Sequence, residues 1–384
     1  MDGKTVYIVG AGLSGAAIAR VLAENGKTVH ILEKRDHIGG NMYDYVDEHG
    51  ILVHRYGPHT FHTRQKYLFD FMNRFADWMP YRLTCGAEIN GKCTPTPFNF
   101  QTVDDYFDPE TAAALKERLT TVFAGRKTVT VTEALGSEDP MIRDYAQFLF
   151  DNDYSLYTAK QWGVSAAEID PSVLKRVPLR LSYEVGYFDD EYQVMPQKSY
   201  TAFFENLLCH PNITVTLKTD ALNRLSLSEE NGTVSVDGNS DCTVVYTGPL
   251  DSLMGLRYGQ LPYRSLRFEW HYETVDSKQD MPVVAYPQAE GYTRIVEYKK
   301  LPCQVVSGTT YEVEYSLPYR AGTVQEPYYP VLTEESAEQY RKYSDEAKRY
   351  RNLFLCGRLA DFKYYNMDQA LEHALLTAEN ILKK

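Results

Sequence analysis

The sequence has no apolar run approaching the roughly 18–20 residues needed to cross a bilayer, which argues against a membrane-spanning protein. Its six cysteines (Cys85, Cys93, Cys209, Cys242, Cys303 and Cys356) contain no Cys-x-x-Cys pair. That scatter argues against a disulfide framework or a zinc site and suits a reducing cytoplasm. Positive charge is also short: 40 Lys and Arg face 52 Asp and Glu, a formal net charge of −12. Sequence-independent nucleic-acid binding is therefore not expected. There is no internal repeat and no low-complexity linker, and Met1-Asp2-Gly3-Lys4-Thr5 leads into a short apolar strand without the pattern of a secretion signal. With 31 Tyr and 16 Phe, intrinsic disorder is not expected either.

The chain does carry a dinucleotide fingerprint. Thr-Val-Tyr-Ile-Val (5–9) reads as a strand, Gly10-Ala11-Gly12-Leu13-Ser14-Gly15 as a glycine turn, 16–24 as a helix and 28–32 as a second strand. Gly10 permits the tight turn, Gly12 lets backbone approach a pyrophosphate, and Gly15 lets helix and strand pack closely. Ser14 lies where the helix N-terminus offers free N–H groups to phosphate oxygens. Glu33 follows Gly15 by 18 residues, at the strand end where a carboxylate can take a ribose hydroxyl. Beyond it, Lys34 and the Gly39-Gly40-Asn41 turn resemble the extended fingerprint of FAD flavoproteins of the glutathione-reductase and amine-oxidase type. FAD is accordingly favoured over NAD, with Lys34, Gly40 and Asn41 in the cofactor shell. A strand at 353–356, the Gly357-Arg358 turn and a helix from Met367 complete the pattern, with the helix start aimed at the flavin.

Between these ends, residues 65–185 read as mainly helical and 265–315 as short antiparallel strands. The expected fold is α/β: a discontinuous Rossmann-like FAD-binding domain (1–64, 200–260 and 335–384) with two insertions. One is a helical substrate or lid domain (65–178). The other is a twisted antiparallel β-sheet domain (179–199 and 261–334). Gly57 and Pro58 make the segment around His59 and His62 a loop with no third ligand at suitable spacing, so no metal is expected there.

Several blocks together resemble the bacterial UDP-galactopyranose mutases. They are Tyr56-Gly57-Pro58-His59-Thr60-Phe61-His62-Thr63, Tyr157-Thr158-Ala159-Lys160-Gln161-Trp162-Gly163, Lys175-Arg176-Val177-Pro178-Leu179-Arg180, Tyr292-Thr293-Arg294-Ile295-Val296-Glu297, Glu326-Pro327-Tyr328-Tyr329-Pro330 and Gly357-Arg358-Leu359-Ala360. They run in family order over nearly the whole chain. The resemblance implies an isomerase that converts UDP-galactopyranose to UDP-galactofuranose on reduced FAD, through a flavin N5–sugar adduct and with no net redox change. The furanose would serve cell-surface polysaccharide. NAD(P)H is a candidate reductant, and a homodimer is compatible with the family.

The resemblance also assigns roles. Arg176 and Arg294 match diphosphate-binding arginines, and Tyr157, Tyr187, Tyr315 and Tyr364 match tyrosines that bond the phosphates. Trp162 matches a Trp on a mobile loop near the uracil. His59 and His62 would line the flavin, with His62 near its reactive edge, and Arg358 would contact the isoalloxazine. Asn366 stands where the family usually has Asp near flavin and sugar, and Leu83 stands where relatives tend to be polar beside the nucleotide. These departures leave open a mutase for another NDP-hexose, such as UDP-N-acetylgalactosamine or a dTDP-sugar. An amine-oxidase-like flavin oxidase is the reading from another class. It gives no role to the paired arginines.

Overall fold

A computed structural model describes residues 5–163, 165 and 177–384. Arg176 lies outside these residues. A five-stranded sheet, parallel throughout, is assembled from distant parts of the chain. Its order is Ile213–Thr216, Val29–Leu32, Thr5–Val9, Cys242–Tyr246 and Leu353–Leu355. The strand order reverses beside Thr5–Val9, and in such sheets the crevice at the carboxyl ends takes the ligand. The central strands are apolar on both faces because helices cover them. The helix Leu13–Glu24 packs on one face against the last helix, Met367–Lys383, through Ala16, Ala19, Ala23, Leu371, Ala374 and Ala378. Small residues on both sides let the two backbones come close.

A second, seven-stranded sheet forms the wall opposite the crevice. It runs Tyr329–Pro330, Tyr263–Glu273, Thr309–Pro318, Arg294–Glu297, Val283–Ala285, Cys85–Ile89 and Lys92–Thr96. All neighbours are antiparallel except Val283–Ala285 with Cys85–Ile89. The hairpin at 85–96 corrects the sequence reading, which placed it inside a helical unit. Its edges are Thr- and Cys-rich, and it completes the sheet rather than the helical layer. The segment 192–196 differs too: it pairs with Phe61–Thr63 and Trp78–Pro80 in a small separate sheet.

Helices fill much of 100–162. Pro109–Val122 and Pro140–Leu149 both begin with Pro in the first turn after an Asp whose carboxylate caps the free N–H groups. Their apolar faces (Leu115, Leu119, Ile142, Leu149) share a core with Trp162 and Tyr329. Helix Ser155–Trp162 leads from this layer to the site, and Gly163 (φ +70°) ends it in the left-handed conformation. No helix among the described residues is long and apolar enough to cross a membrane.

Candidate active site

The crevice at the strand ends is a cleft of about 450 Å³. Gly10, Gly12, Ser14, Gly15, Glu33, Lys34, Gly40, Asn41, His59, Gly357, Arg358, Asn366 and Met367 all line it. Two backbone approaches shape its floor. A Cβ on Gly15 would lie 2.1 Å from the Gly10 carbonyl oxygen, so only glycine lets the helix sit this close to the turn. A Cβ on Gly40 would lie 2.8 Å from Gly12 Cα, which brings the second glycine turn against the first. The helix N-terminus at Gly12 has no side-chain cap and no acidic residue in its first turn. Its N–H groups face the cleft as an anion site.

At one end, Glu33 is buried and already ordered. Its Oε2 accepts the Ala11 N–H at 2.7 Å and its Oε1 the Arg35 N–H at 2.9 Å. A carboxylate with two oxygens still has acceptor capacity for a ribose hydroxyl. Lys34 reaches across to Glu326 at 2.7 Å, and Arg35 bonds both Glu326 (3.2 Å) and the Asn41 amide oxygen (3.0 Å). At the other end, Arg358 donates to the Tyr365 carbonyl at 2.6 Å and lies 5.3 Å from the Tyr364 ring centre. Asn366 sits at the N-cap of the last helix, and its N–H donates to the Gln369 side chain at 2.9 Å.

His59 lies between this cleft and Arg294 of the antiparallel sheet. Burial pushes its imidazole down to about 4, so it is neutral at pH 7. Its Nδ1 lies 2.8 Å from the Gly57 carbonyl and must therefore carry the proton, leaving Nε2 as an acceptor. The positive charges of both Arg358 and Arg294 also bear on it. A Cβ on Gly57 would lie 3.7 Å from an Arg294 nitrogen, so this loop is sandwiched between the cleft and the antiparallel sheet.

Arg294 stands on the sheet face beneath that loop. Its Nε and Nη2 both donate to a single oxygen of Glu314, at 2.9 and 2.6 Å. Glu314 is fully buried, while a quarter of the Arg294 side chain stays open. Burial works against the guanidinium charge, but the carboxylate outweighs it and holds Arg294 well above its ordinary value. Tyr157, on the helix Ser155–Trp162, feels the charges of Arg294 and Glu314 and the phenols of Tyr187 and Tyr364; burial raises its hydroxyl and keeps it a donor. Trp162, Tyr329 and Tyr364 form a mutual edge-to-face cluster, with ring centres 5.0–5.4 Å apart.

The structure moves three expected residues. His62 does not line the cleft. It stacks on Phe188 at 3.5 Å and bonds Asp190 at 2.5 Å, because its strand pairs with 192–194 and turns the ring that way. Tyr315 points to the opposite sheet face from Glu314. Its hydroxyl donates to Glu269 at 2.9 Å, and Arg267 lies over its ring. Adjacent strand residues face opposite sides, and Glu314 occupies the inner one. Trp162 is the last residue of a helix and almost fully buried, rather than part of a loop. Leu83 is buried as well, and its carbonyl accepts the Tyr187 N–H at 2.7 Å.

Sequence reasoning missed Tyr329, Glu314 and the anchors of the Trp162 helix. Lys160 inserts its ammonium among the carbonyls of Tyr286, Ala289 (2.9 Å) and Tyr292 (2.8 Å). The Gln161 carbonyl at the helix end accepts from Arg264 (3.0 Å), Ser316 (2.6 Å) and Tyr329 (3.2 Å). A cation at a helix C-terminus is favourable in itself. Tyr328 and Tyr329 are legible in the sequence, since both lie in the family-like block Glu326-Pro327-Tyr328-Tyr329-Pro330.

The sequence model of the UDP-galactopyranose mutase family matches residues 153–364, and that of an NAD(P)-binding Rossmann-like domain matches 8–75. A probable UDP-galactopyranose mutase of Klebsiella pneumoniae is 35% identical, over 100% of this chain and 96% of its own. A dTDP-fucopyranose mutase of Escherichia coli is also 35% identical, over 98% of each. The UDP-galactopyranose mutase of Mycoplasma pneumoniae is 35% identical, over 98% and 96%. In three dimensions, the chain is similar to a crystal structure of reduced UDP-galactopyranose mutase, with a TM-score of 0.73, 14% identity and coverage of 99% and 96%. A putrescine oxidase shares the fold at a TM-score of 0.58 and 14% identity. With full-length relatives at this identity, the chain belongs to the UDP-galactopyranose mutase family and is an isomerase.

Proposed function

We propose that this chain interconverts the pyranose and furanose forms of a nucleotide-activated hexose on reduced FAD, with UDP-galactose as the first candidate. The observation that carries the reading is Arg294: a half-buried guanidinium held by one oxygen of Glu314, one loop away from the dinucleotide cleft. A diphosphate leaving and returning needs fixed positive charge at that place, and a guanidinium cannot lose its proton to supply it. An oxidase of small amines would have no use for it.

The cleft fits FAD. Its floor is the close glycine contact, its centre an uncapped helix N-terminus, and its ends Glu33 and the Arg358–Met367 turn. When bound and reduced, the flavin supplies a nucleophile for the anomeric carbon. The protein's residues do the rest. Arg294, with Arg176 as its proposed partner, stabilises charge on the departing diphosphate. Tyr157 and Tyr364 donate phenolic hydrogen bonds without adding charge. Trp162, Tyr329 and Tyr364 exclude water from the reacting sugar. Neutral His59 offers Nε2 as an acceptor beside the cofactor. NAD(P)H is a candidate reductant, and six free cysteines suit the cytoplasm as the compartment.

The second reading is a dTDP-sugar mutase, favoured by the equal similarity to the dTDP-fucopyranose enzyme and by Asn366 in place of a carboxylate. The test is chromatography of UDP-galactofuranose incubated with the enzyme, with and without dithionite. Conversion to the pyranose only after reduction supports the proposal. Conversion of a dTDP-furanose alone moves the assignment to the second reading. Activity that ignores the redox state, or no conversion of any NDP-furanose, overturns the mutase assignment.

A further inference from the structure

Cys356, Asp361 and His373 are far apart in polarity and sequence setting, yet the fold brings their ligand atoms within 4.8 Å of one another. Cys356 directly follows the strand at 353–355, Asp361 lies in the turn after it, and His373 is on the last helix. His373 Nδ1 is the common point. It lies 2.8 Å from Asp361 Oδ2 and 3.7 Å from Cys356 Sγ. Asp361 Oδ2 also accepts the Gly357 N–H at 2.9 Å, so the cluster fastens the turn that lines the cofactor cleft.

We infer that these three residues form a binding site for a borderline divalent transition-metal cation, of which Zn²⁺ is the representative. Thiolate, imidazole and carboxylate together are the donor set of such ions, not of Mg²⁺ or Ca²⁺. In a tetrahedral zinc site, with bonds of about 2.0–2.3 Å, adjacent ligand atoms stand roughly 3.5 Å apart. Sγ and Nδ1 already have that spacing. Asp361 Oδ2 must swing roughly half an ångström away from Nδ1 and up to about 1 Å nearer Sγ, from which it lies within 4.8 Å, as a metal replaces the shared proton. The ion would displace the imidazole and thiol protons, leaving Cys356 as thiolate, His373 neutral and Asp361 ionised. Cys356 is fully buried, whereas His373 is about a third exposed and gives the ion an entry path and an open coordination position. Without metal, the single Nδ1–H of His373 points to Asp361 Oδ2 and is shared at longer range with Cys356 Sγ.

The experiment uses the full FAD-loaded enzyme and Zn²⁺ itself. Calorimetric titration should show one saturable site, and the zinc X-ray absorption spectrum should show one sulfur at about 2.3 Å with N/O ligands near 2.0 Å. A melting temperature that rises with the logarithm of free Zn²⁺ above the dissociation constant should accompany it. His373→Gln, a change at a partly exposed position, should weaken binding roughly tenfold or more, and Cys356→Ser should remove sulfur from the spectrum. Cys303→Ser, at an exposed cysteine elsewhere, should change neither. No saturable binding, a spectrum without sulfur, or equal affinity in His373→Gln would overturn the site. Should Cys356→Ser fail to fold, the wild-type spectrum and His373→Gln decide the question.

Discussion

Arg294 and Glu314 meet through one oxygen: both guanidinium bonds end on Glu314 Oε2. Among the described residues, no hydrogen bond engages Nη1, and this edge remains for an anion. Arg294→Ala should therefore lower kcat by about 10²–10³ with FAD retained, since charge developing on the diphosphate loses its partner. It should also lower stability by about 3–5 kcal/mol, because Glu314 is left as an unpaired buried carboxylate. Arg294→Lys keeps the charge without the planar fork and should recover only part of the rate. Turnover and urea denaturation measure the two effects separately. Wild-type turnover in both variants would remove Arg294 from the diphosphate site.

Glu312, two residues along the same sheet face, is fully buried beside the Tyr298 hydroxyl and the Glu314 carboxylate. Burial, with the Glu314 charge beside it, holds this acid well above the usual range and favours its protonated form. Glu312→Gln should then change stability at pH 7 by no more than about 1 kcal/mol. A loss of several kcal/mol in urea denaturation would mean that the native acid is ionised.

Asp153 gives a pH signature. Burial pushes its carboxyl up to about 7 from 3.8. Between those values the folded protein keeps a proton that the unfolded chain has released, so its contribution to stability falls as pH rises through that window. Asp153→Asn removes the cost. The stability difference between variant and wild type should grow from about pH 4 to about pH 7, reaching up to about 4 kcal/mol, and then level off. A pH-independent difference in melting curves would contradict this.

The two faces of the seven-stranded sheet can be separated by a pair of tyrosines. Tyr329→Ala unpacks Trp162 and Tyr364 and should lower kcat/KM by roughly tenfold to a hundredfold. Tyr315→Phe loses only a bond to Glu269 on the far face and should stay within about twofold. The reverse ranking would restore Tyr315 to the substrate site.

Much of the dinucleotide half was legible without a structure. Gly10, Gly12, Gly15, Glu33 and Gly40 act within one short βαβ unit, where backbone geometry and close approach leave few residue choices. The return of the last strand and helix at 353–383 was readable for the same reason, as a strand, a glycine turn and an apolar helical face. The hairpin at 85–96 was not, because a short strand pair of mixed polarity shows its type only when a sheet edge receives it.

The sequence by itself determined the cleft, since its signals are local and steric. Tertiary structure alone decided which side of a strand faces the 57–59 loop and the cleft behind it. The sequence reading named Tyr315 and not its neighbour Glu314, but alternation turns the two apart and it is Glu314 that lies under the 57–59 loop. It likewise decided that His62 turns to Asp190 while His59 lines the cleft. It alone brought Cys356, Asp361 and His373 together. Spacing along a chain fixes periodicity; convergence of side chains from separate strands and helices is fixed only by how those elements pack.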